Sequence, residues 1–408
     1  MTTSSSHVDE HRTKRGKLGP LPLRLVDLLI RWAAIVTCSS GIAQGRTWHI
    51  SADGSGDAPT IQAGIDSAST GDSIVVAPGI YYENLDTKGK GLALLGTGTP
   101  ESTVIDGAQQ GRVLSLDSGA TVERFTIRNG LAEEGAGIRI LGPGPCTIRD
   151  NIIEDNVALN ELGGGIGGGI GHLHNIVTDD MFIEGNLIRD NLAQLGGGIF
   201  QEVWSSGVHV YIRANRIEGN RVSWWGGGIK ATYAIIEENL IVGNVAGITG
   251  GGIDFGGDAA GGEIRRNTIA GNRTLNGMPN GAGIQAAAGV GGITIANNLV
   301  WENHGPSGGP ASGAGIDCRA GEFVVSCNLL WGNDIDLSEC TPAESNNISQ
   351  EPQFCGVDPV GSMNFYIQSD SPCAPAQSSC GLIGALPVGC GTVSVQTRTW
   401  SFVKDLYR

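Results

Sequence analysis

The chain has 408 residues, 66 of them glycine, and a formal net charge of −15 at pH 7. This acidic balance, with no basic cluster in the body of the chain, argues against nucleic acid as a partner. No uninterrupted apolar run of about 18 residues follows the N-terminal segment, so we expect no membrane span in the body.

Residues 1–45 have the pattern of an export signal. Basic residues cluster in 11–17, a mostly apolar stretch covers Leu23–Val36, and small residues near Ala43 offer a cleavage site. Three charged residues interrupt the apolar stretch, which is atypical of such signals. We predict a bacterial protein that is secreted or held at the cell surface.

Residues 46–120 are predicted to form an N-terminal cap and the first coils of a solenoid. Pro59–Ser69 has an amphipathic pattern, with Ile61 and Ile65 on one face, and predicts a short helix. Short apolar runs bounded by glycine follow and predict β-strands. A helix here would cover a solenoid end that otherwise exposes apolar side chains and unpaired backbone groups.

A ten-residue unit then occurs seven times within residues 121–335. Three copies read TIRDNIIEDN, FIEGNLIRDN and YIRANRIEGN, and every copy has asparagine at its fifth and tenth positions. The step between first asparagines varies from 24 residues (Asn215 to Asn239) to 35 residues (Asn151 to Asn186). A fixed unit joined by loops of variable length, most of them containing GGGI or GAGI, is typical of a solenoid.

The composition of the unit predicts β-structure. Its segments are short, β-branched and bounded by Asn or Gly, and the 66 glycines rule out two helices of about ten residues per repeat. Asparagine tolerates the left-handed bend conformation, and stacked asparagines can hydrogen-bond in an internal ladder. The predicted fold is all-β: a single-stranded right-handed parallel β-helix of roughly ten coils.

Two columns of alternating charge support this stacking. Neighbouring coils, about 4.8 Å apart, would place the opposite charges of each column side by side. The second column turns apolar at Val242 and Ala270. We interpret both columns as ladders of weak surface ion pairs rather than as catalytic groups. Their members are Arg149, Glu184, Arg213, Glu237 and Arg265 in one, and Glu154, Arg189 and Glu218 in the other.

Several motifs resemble those of the pectin lyase-like superfamily. DGSG at 53–56, Thr60-Ile61, a G-x-Y-x-E turn at 79–83 and a GxG turn at 96–98 follow the order found in pectin methylesterases. The GG[AG]I and IxxN repeats are also similar to those of polymorphic outer-membrane proteins and bacterial right-handed β-helix proteins. The resemblance covers residues 48–335 and implies the β-helix fold, whose members include polysaccharide-active enzymes.

The catalytic motifs of that superfamily are absent from the sequence. The QDT, DFIFG and GRPW motifs of pectin methylesterases are missing, apart from a partial match at 254–256, as are the WIDH and RxPxxR patterns of pectate lyases. Asp179 and Asp180 resemble the acidic pair of polygalacturonases, but no GHG or RIK follows. An adjacent acidic pair serves equally well in a turn. The sequence therefore leaves open whether the chain is an enzyme.

A ligand-binding surface can still be predicted. The residue after each GGGI or GAGI motif forms one column along the solenoid, on the strand that lines the substrate cleft in the resembled superfamily. Tryptophans combine with such polar side chains in carbohydrate sites, although they could instead cover glycine-rich coil surface. The predicted ligand-binding residues are Trp224, Trp225, Phe200, Gln285, Trp301 and Trp331, and the catalytic candidates are Glu202, Lys230, Asp254, Asp179 and Asp180.

Residues 336–392 are predicted to form a Cys-rich terminal cap, and residues 393–408 a tail with a short amphipathic pattern. Seven cysteines lie between Cys318 and Cys390 without a CxxC spacing, and no histidine accompanies them. This pattern favours disulfides in an exported protein over a zinc site, with the connectivity left open.

Two functional hypotheses follow. The favoured one is non-catalytic binding of a polysaccharide or a surface protein along the solenoid; the alternative is a divergent polysaccharide lyase or glycoside hydrolase. No metal or cofactor is expected, with Ca²⁺ considered only for the enzymatic alternative because the surface is acidic. The fold alone cannot choose, since one scaffold hosts several functions.

Overall fold

The computed structural model describes residues 45–161, 163–206, 209–256, 261–276, 280–289, 292–306, 313–340, 346–357 and 363–390. The export signal predicted for 1–45, except its last residue, and the tail predicted for 393–408 lie outside the described residues. The described chain is a right-handed parallel β-helix, as predicted, and a complete coil passes through four parallel sheets in turn. Within the described residues, no helix is long and apolar enough to span a bilayer.

The first sheet has eleven parallel strands, which confirms the expectation of roughly ten coils. Alternate side chains point inward, because successive residues of a strand face opposite sides. Ile148, Ile183 and Ile212 are fully buried in the central core. The strands are Thr47–Ile50, Ser73–Val76, Ala93–Gly96, Thr121–Glu123, Thr147–Arg149, Met181–Glu184, Val210–Arg213, Ala234–Glu237, Gly262–Arg265, Ile293–Ala296 and Phe323–Ser326.

The second sheet follows the first across a tight bend and contributes Ile153, Ile188 and Ile217 to the same core. The bend is short because the repeat unit has a fixed length of ten residues. Its ten strands are Gly79–Tyr82, Thr103–Asp106, Thr126–Arg128, Ile152–Glu154, Leu187–Arg189, Arg216–Glu218, Leu240–Val242, Thr268–Ala270, Leu299–Trp301 and Leu329–Trp331.

The third and fourth sheets complete the coil. The third sheet has six strands: Leu131–Ala132, Val157–Ala158, Leu192–Leu195, Arg221–Trp225, Val245–Ala246 and Arg273–Thr274. The fourth has ten: Leu85–Asp86, Leu114–Leu116, Ile138–Ile140, Ile170–Val177, Ile199–Ser206, Ile229–Ala231, Ile253–Gly256, Gly281–Ala287, Ala314–Arg319 and Ile335–Ser338.

Two buried asparagine ladders run along the bends on either side of the second sheet. The Nδ2 atom of Asn186 donates to Asn215 Oδ1 at 3.0 Å, and the backbone N–H of Asn186 donates to the same oxygen at 3.0 Å. The pattern recurs along each column, and Asn347 adds an eighth rung to the first ladder that the seven repeats did not predict. Each buried amide is thus satisfied by its neighbour in the next coil.

One detail of the predicted bend is wrong. The left-handed residue is the one before each ladder asparagine, as at Asp150 (φ 58°), Ala214 (φ 52°) and Glu238 (φ 58°), rather than the asparagine itself. Glycine fills this position in other copies because it adopts this conformation at no steric cost. The asparagine is selected for its side-chain hydrogen bonds.

The GGxI motifs are explained by close backbone approach. A Cβ atom at Gly198 would lie 2.7 Å from the carbonyl oxygen of Gly228 and 3.1 Å from Nδ2 of Asn220. At Gly226, where φ is 70°, a Cβ atom would lie 2.8 Å from the Cβ of Lys230. Glycine is therefore required where the chain returns from the third sheet to the fourth.

A helix packs at the N-terminal end, as predicted, but it is shorter than expected. It spans Ile61–Ser67, and Thr60 caps it by accepting a hydrogen bond from the backbone N–H of Ala63. The Glu83 carboxylate accepts hydrogen bonds from the first two helical N–H groups at 3.0 and 2.9 Å. Ile61 and Ile65 are buried against the core. Glu83, the acidic residue of the G-x-Y-x-E turn, thus has a structural role.

The C-terminal segment begins at the end of the β-helix, where Asn347 continues the first ladder and Ile348 pairs with Leu329, and then lies against the second sheet. Phe354, Phe365 and Ile383 form an apolar cluster with Leu240 and Leu299 of the second sheet. A hairpin of Phe354–Val357 and Met363–Ile367 contributes to it. We call residues 350–357 and 363–390 the lateral cover.

The C-terminal part contains three disulfides, as the cysteine pattern predicted, and Cys327–Cys380 ties the lateral cover to the last coils. The bonds are Cys318–Cys340, Cys327–Cys380 and Cys355–Cys390. Cys373 and Cys146 are free and buried, and burial raises the pKa of their thiols to about 12 and about 11. Both thiols are therefore protonated and inert at neutral pH.

Candidate functional site

The predicted column on the fourth sheet exists in register. Phe200 pairs with Lys230, Lys230 with Asp254, and Asp254 with Gln285 across four adjacent strands. The expectation that these side chains project into solvent is wrong, because all four are buried. The first glycine of each GGxI motif passes directly over the column, as Gly226 does over Lys230. The motif that places the column also covers it.

Lys230 and Asp254 form a buried ion pair. Lys230 Nζ lies 2.9 Å from Asp254 Oδ1 and donates to the Gly256 carbonyl oxygen at 2.9 Å. The other Asp254 oxygen accepts a hydrogen bond from the Thr249 hydroxyl. Each charge is compensated by fixed neighbours, which is the condition for burying a charge in a fold. The pair holds successive coils together and presents little surface to a ligand.

The remaining catalytic candidates do not join this pair. Glu202 is half-buried on the fourth sheet and pairs across the strands with exposed Leu173. Asp179 is exposed at the corner that leads to the first sheet, and Asp180 accepts a hydrogen bond from the backbone N–H of His209 at 3.1 Å. Asp180 therefore has the turn role that the sequence left as an alternative.

Each strand of the third sheet is followed by a returning segment that is also paired. The returning residues, among them Leu195, Trp225 and Thr249, pair in parallel from coil to coil. Small side chains such as Ala158, Ala193 and Val222 fill the narrow space between the two runs. We use the name ridge for residues 131–134, 157–161, 163–166, 192–195, 221–225, 245–249 and 273–274. Their paired backbone makes the ridge a rigid platform.

Trp224 and Trp225 lie at the outer edge of the ridge. Their side chains are 44% and 38% exposed, and their ring centroids are 5.8 Å apart with an interplanar angle of 48°. The carbonyl oxygen of Trp224 accepts hydrogen bonds from the backbone N–H groups of Ile248 and Thr249, which fixes the backbone of the pair. Two large exposed aromatic rings on a rigid strand form a ready contact surface.

The other two predicted tryptophans differ from each other. Trp301 packs edge-to-face on Phe354 and Phe365, with ring centroids 5.2 and 6.4 Å apart, so it belongs to the apolar cluster under the lateral cover. Trp331 is in register with Trp301 and is 40% exposed. The packing alternative therefore holds for Trp301.

Sequence reasoning missed an aromatic group on the outer face of the first sheet. The rings of Phe182 and Tyr211 stack with centroids 5.2 Å apart and an interplanar angle of 11°, and the His209 ring lies 6.0 Å from Tyr211. The Arg213 guanidinium lies 5.1 Å from the centre of the Phe182 ring. Phe182 and Tyr211 each lie four positions before a ladder asparagine. This column was not identified from the sequence, because the repeats were compared by charge.

A depression of about 640 Å³ continues from this group along the first sheet; we call it the first-sheet groove. Three of its lining residues are glycines and two are glutamates, and exposed His209 stands at its N-terminal side. Glu263 pairs with Arg265 at 2.8 Å. The lining residues are His209, Ile235, Gly262, Glu263, Gly292, Ile293, Thr294, Gly321, Glu322, Phe323 and Val324.

Inside the β-helix, one polar pair interrupts the apolar core. His172 and Gln201 are in register on adjacent strands and are fully buried. Both ring nitrogens of His172 and the Nε2 atom of Gln201 have no hydrogen-bond partner among the described residues. Burial, and then the neighbouring His174, lower the pKa of His172 to about 4. His172 is therefore neutral at physiological pH.

Comparisons with known proteins agree with this architecture. The right handed beta helix region model matches residues 90–368, more than half of the chain. No curated protein matches the sequence. Among solved structures, pectate lyase Pel9A is similar over 86% of this chain and 98% of its own, with 14% identity and a TM-score of 0.51.

Two further similar structures carry a weaker likeness. They are pectin methylesterase from carrot (74% of this chain, 83% of its own, 14% identity, TM-score 0.31) and a mannuronic acid specific polysaccharide family 6 lyase from human gut microbiota (76% and 79%, 12%, 0.32). At 14% identity the likeness to pectate lyase Pel9A is one of fold. The chain belongs to the right-handed β-helix family.

Proposed function

We propose that this protein is exported and binds polysaccharide without cleaving it, through the ridge that carries Trp224 and Trp225. The observation that carries the proposal is the pair of exposed indole rings on a rigid strand. Sugar rings present apolar C–H faces that pack on aromatic rings, while their hydroxyl groups need polar neighbours. Exposed Arg221 and Ser223 on the same strand supply such groups.

The state of the candidate catalytic groups favours binding over catalysis. A general acid or base must reach the substrate and change its protonation state. Lys230 and Asp254 are buried and bonded to each other, and Asp180 holds a turn. Glycoside hydrolysis needs two carboxyl groups about 5–9.5 Å apart that face one sugar bond. The predicted candidates are divided between the fourth sheet and the corner leading to the first.

Three disulfides support the export part of the proposal. Cys318–Cys340, Cys327–Cys380 and Cys355–Cys390 would not persist in a reducing cytosol. A place outside the cell also brings the ridge into contact with wall and matrix polysaccharides.

Binding to a panel of insoluble and soluble polysaccharides, including uronate polymers, tests the proposal. The Trp224→Ala/Trp225→Ala variant should bind at least about tenfold more weakly, a loss of about 1.4 kcal/mol. Trp331→Ala is the matched control, because Trp331 is similarly exposed on the second sheet, and it should keep the wild-type affinity.

The same samples distinguish the enzymatic alternative. New reducing ends or unsaturated products, assayed with and without Ca²⁺, would show a lyase or hydrolase and overturn the non-catalytic proposal. Equal affinity of the double variant and the wild type for every polymer would contradict the proposal that the ridge binds polysaccharide.

A further inference from the structure

We propose that the first-sheet groove is a second, independent saccharide-binding site, selective for uncharged sugar chains. The ridge and the groove occupy different faces, because the second sheet separates them in one direction around the coil and the fourth sheet in the other. The proposal rests on an unusual outer surface, on the shape of the groove and on its charge.

The outer surface of the first sheet changes character along its length. In the N-terminal coils the column that includes Thr121 and Thr147 carries small or polar side chains, as expected for a solvated face. From Phe182 the same column becomes Phe182, Tyr211 and Ile235. Apolar side chains that form a contiguous group on a solvent-facing sheet mark an interaction surface.

The aromatic rings form a fixed cluster beside the groove. Phe182 and Tyr211 stack on each other along the β-helix axis, so their interaction fixes both rings in position. The His209 ring lies beside Tyr211, and the hydrogen bond from the His209 backbone to Asp180 ties its segment to the preceding coil. The rings stand next to the start of the groove, since His209 lines it and Tyr211 pairs with the lining residue Ile235.

The polar groups of the groove indicate the ligand class. Glu263, Thr294 and Glu322 line it and can accept hydrogen bonds from hydroxyl groups. Glu263 is paired with Arg265 at 2.8 Å, so the Glu322 carboxylate and the chain's net charge of −15 are what repel uronate and sulfated polymers. A neutral glycan supplies both the hydroxyl donors and the C–H faces that this combination of residues requires.

The repeat of the groove also fits an extended chain. Its lining residues Ile235, Glu263, Thr294 and Val324 come from four neighbouring coils and are in register at a coil rise of about 4.8 Å. This rise is close to the advance of one pyranose unit in an extended glycan. Successive sugar units would therefore meet equivalent positions of successive coils.

The test measures affinity of the full chain for soluble neutral glucans, mannans and xylans and for uronate polymers. Tyr211→Ala and Glu263→Gln should each weaken binding to a neutral glycan at least about fivefold, and neither should weaken uronate binding. Thr121→Ala, in the same column but away from the groove, is the control and should match the wild type. Glu263→Gln keeps size and shape, so it reports on binding even if Tyr211→Ala lowers stability.

Ridge and groove variants fail in different ways. Loss of neutral-glycan affinity in the Tyr211 and Glu263 variants, with the Trp224/Trp225 variant retaining it, supports the groove whatever the fate of the ridge proposal. Wild-type affinity for every neutral glycan in both groove variants would overturn the groove proposal. Abolition of all glycan binding by the Trp224→Ala/Trp225→Ala change alone would overturn it as well, because an independent site must survive loss of the ridge.

Discussion

The outer face of the second sheet carries two different surfaces on one continuous backbone. In its N-terminal part the outward column is charged, and Arg128 pairs with Asp106 and Arg189 with Glu154. From Val242 onward the same column is apolar; Val242, Ala270 and Trp301 pack against the lateral cover, whereas Trp331 is 40% exposed. The two parts of the column, in register, are Asp106, Arg128, Glu154, Arg189 and Glu218, then Val242, Ala270, Trp301 and Trp331.

This contrast shows what a solenoid sequence encodes on its outside. The backbone pairing is the same in both parts, so the register depends on the core and the asparagine ladders. The outward side chains instead depend on what covers each coil. The change from Glu218 to Val242 marks the coil at which the C-terminal segment begins to protect the sheet. An unexplained loss of charge in such a column therefore indicates a docking surface.

Opening the disulfide that holds the cover should produce the largest effect. Cys327–Cys380 links residues 53 positions apart, and loop entropy assigns about 4 kcal/mol to a closed loop of this size. Cys327→Ser/Cys380→Ser should therefore destabilise the C-terminal coils and lower amide-exchange protection in Leu299–Trp301. Strand Leu187–Arg189 is the internal control and should keep its protection. Equal loss of protection in both strands would mean that the two parts unfold as one unit.

A matched pair of leucines tests the cover more directly. Leu187 and Leu299 occupy the same outward column, but Leu187 is half-buried and Leu299 is fully buried under the cover. Leu299→Ala should cost about 3 kcal/mol of unfolding free energy, because it leaves a cavity, whereas Leu187→Ala should cost less than about 1 kcal/mol. Denaturant unfolding of both variants measures the difference. Similar costs would contradict a stabilising role of the lateral cover.

The pH dependence of stability tests the cost, in unfolding free energy, of burying a polar group in the core. His172 is buried with a pKa of about 4, against an ordinary value of 6.5. As pH falls from 6.5 towards 4 the unfolded chain gains a proton that the folded chain does not, so stability falls by up to about 3 kcal/mol. His172→Leu should remove most of this pH dependence of the unfolding free energy. The pH dependence that comes from the surface ion pairs should remain. An unchanged slope would place the acid sensitivity elsewhere.

The fold was predictable from sequence because its determinants are periodic. The asparagine positions, the inward isoleucines and the alternating charges recur at every coil, and each has a direct physical consequence. The lateral position of the C-terminal segment was not predictable, since its residues follow no repeat and their contacts are with coils more than fifty residues away, such as that of Thr268. The change to an apolar residue at Val242 was visible in the sequence. Its explanation required knowing which surface packs against it.

The candidate site was predicted only in part. Periodicity identified the column of Phe200, Lys230 and Asp254, but it could not show that Gly226 and its equivalents pass over that column. Burial of an outward column depends on the path of the returning chain, which has variable length in the sequence. The sequence placed Trp224 and Trp225 in a loop before that column, whereas the structure places them in strand Arg221–Trp225, and their role in ligand binding stays a prediction.

The smallest expected effect is in the charged part of the second-sheet column. Glu154 accepts from Arg189 Nη2 at 2.6 Å, but the arginine side chain is 40% exposed, so water and salt screen the pair. Glu154→Gln should therefore cost less than about 1 kcal/mol, and most of that cost should disappear in 1 M salt. Leu299→Ala, whose effect comes from packing, should retain its full cost under the same conditions. A large cost for Glu154→Gln that persists in salt would show that the charged part of the column contributes to stability as the covered part does. The two surfaces would then differ in chemistry but not in their role in stability.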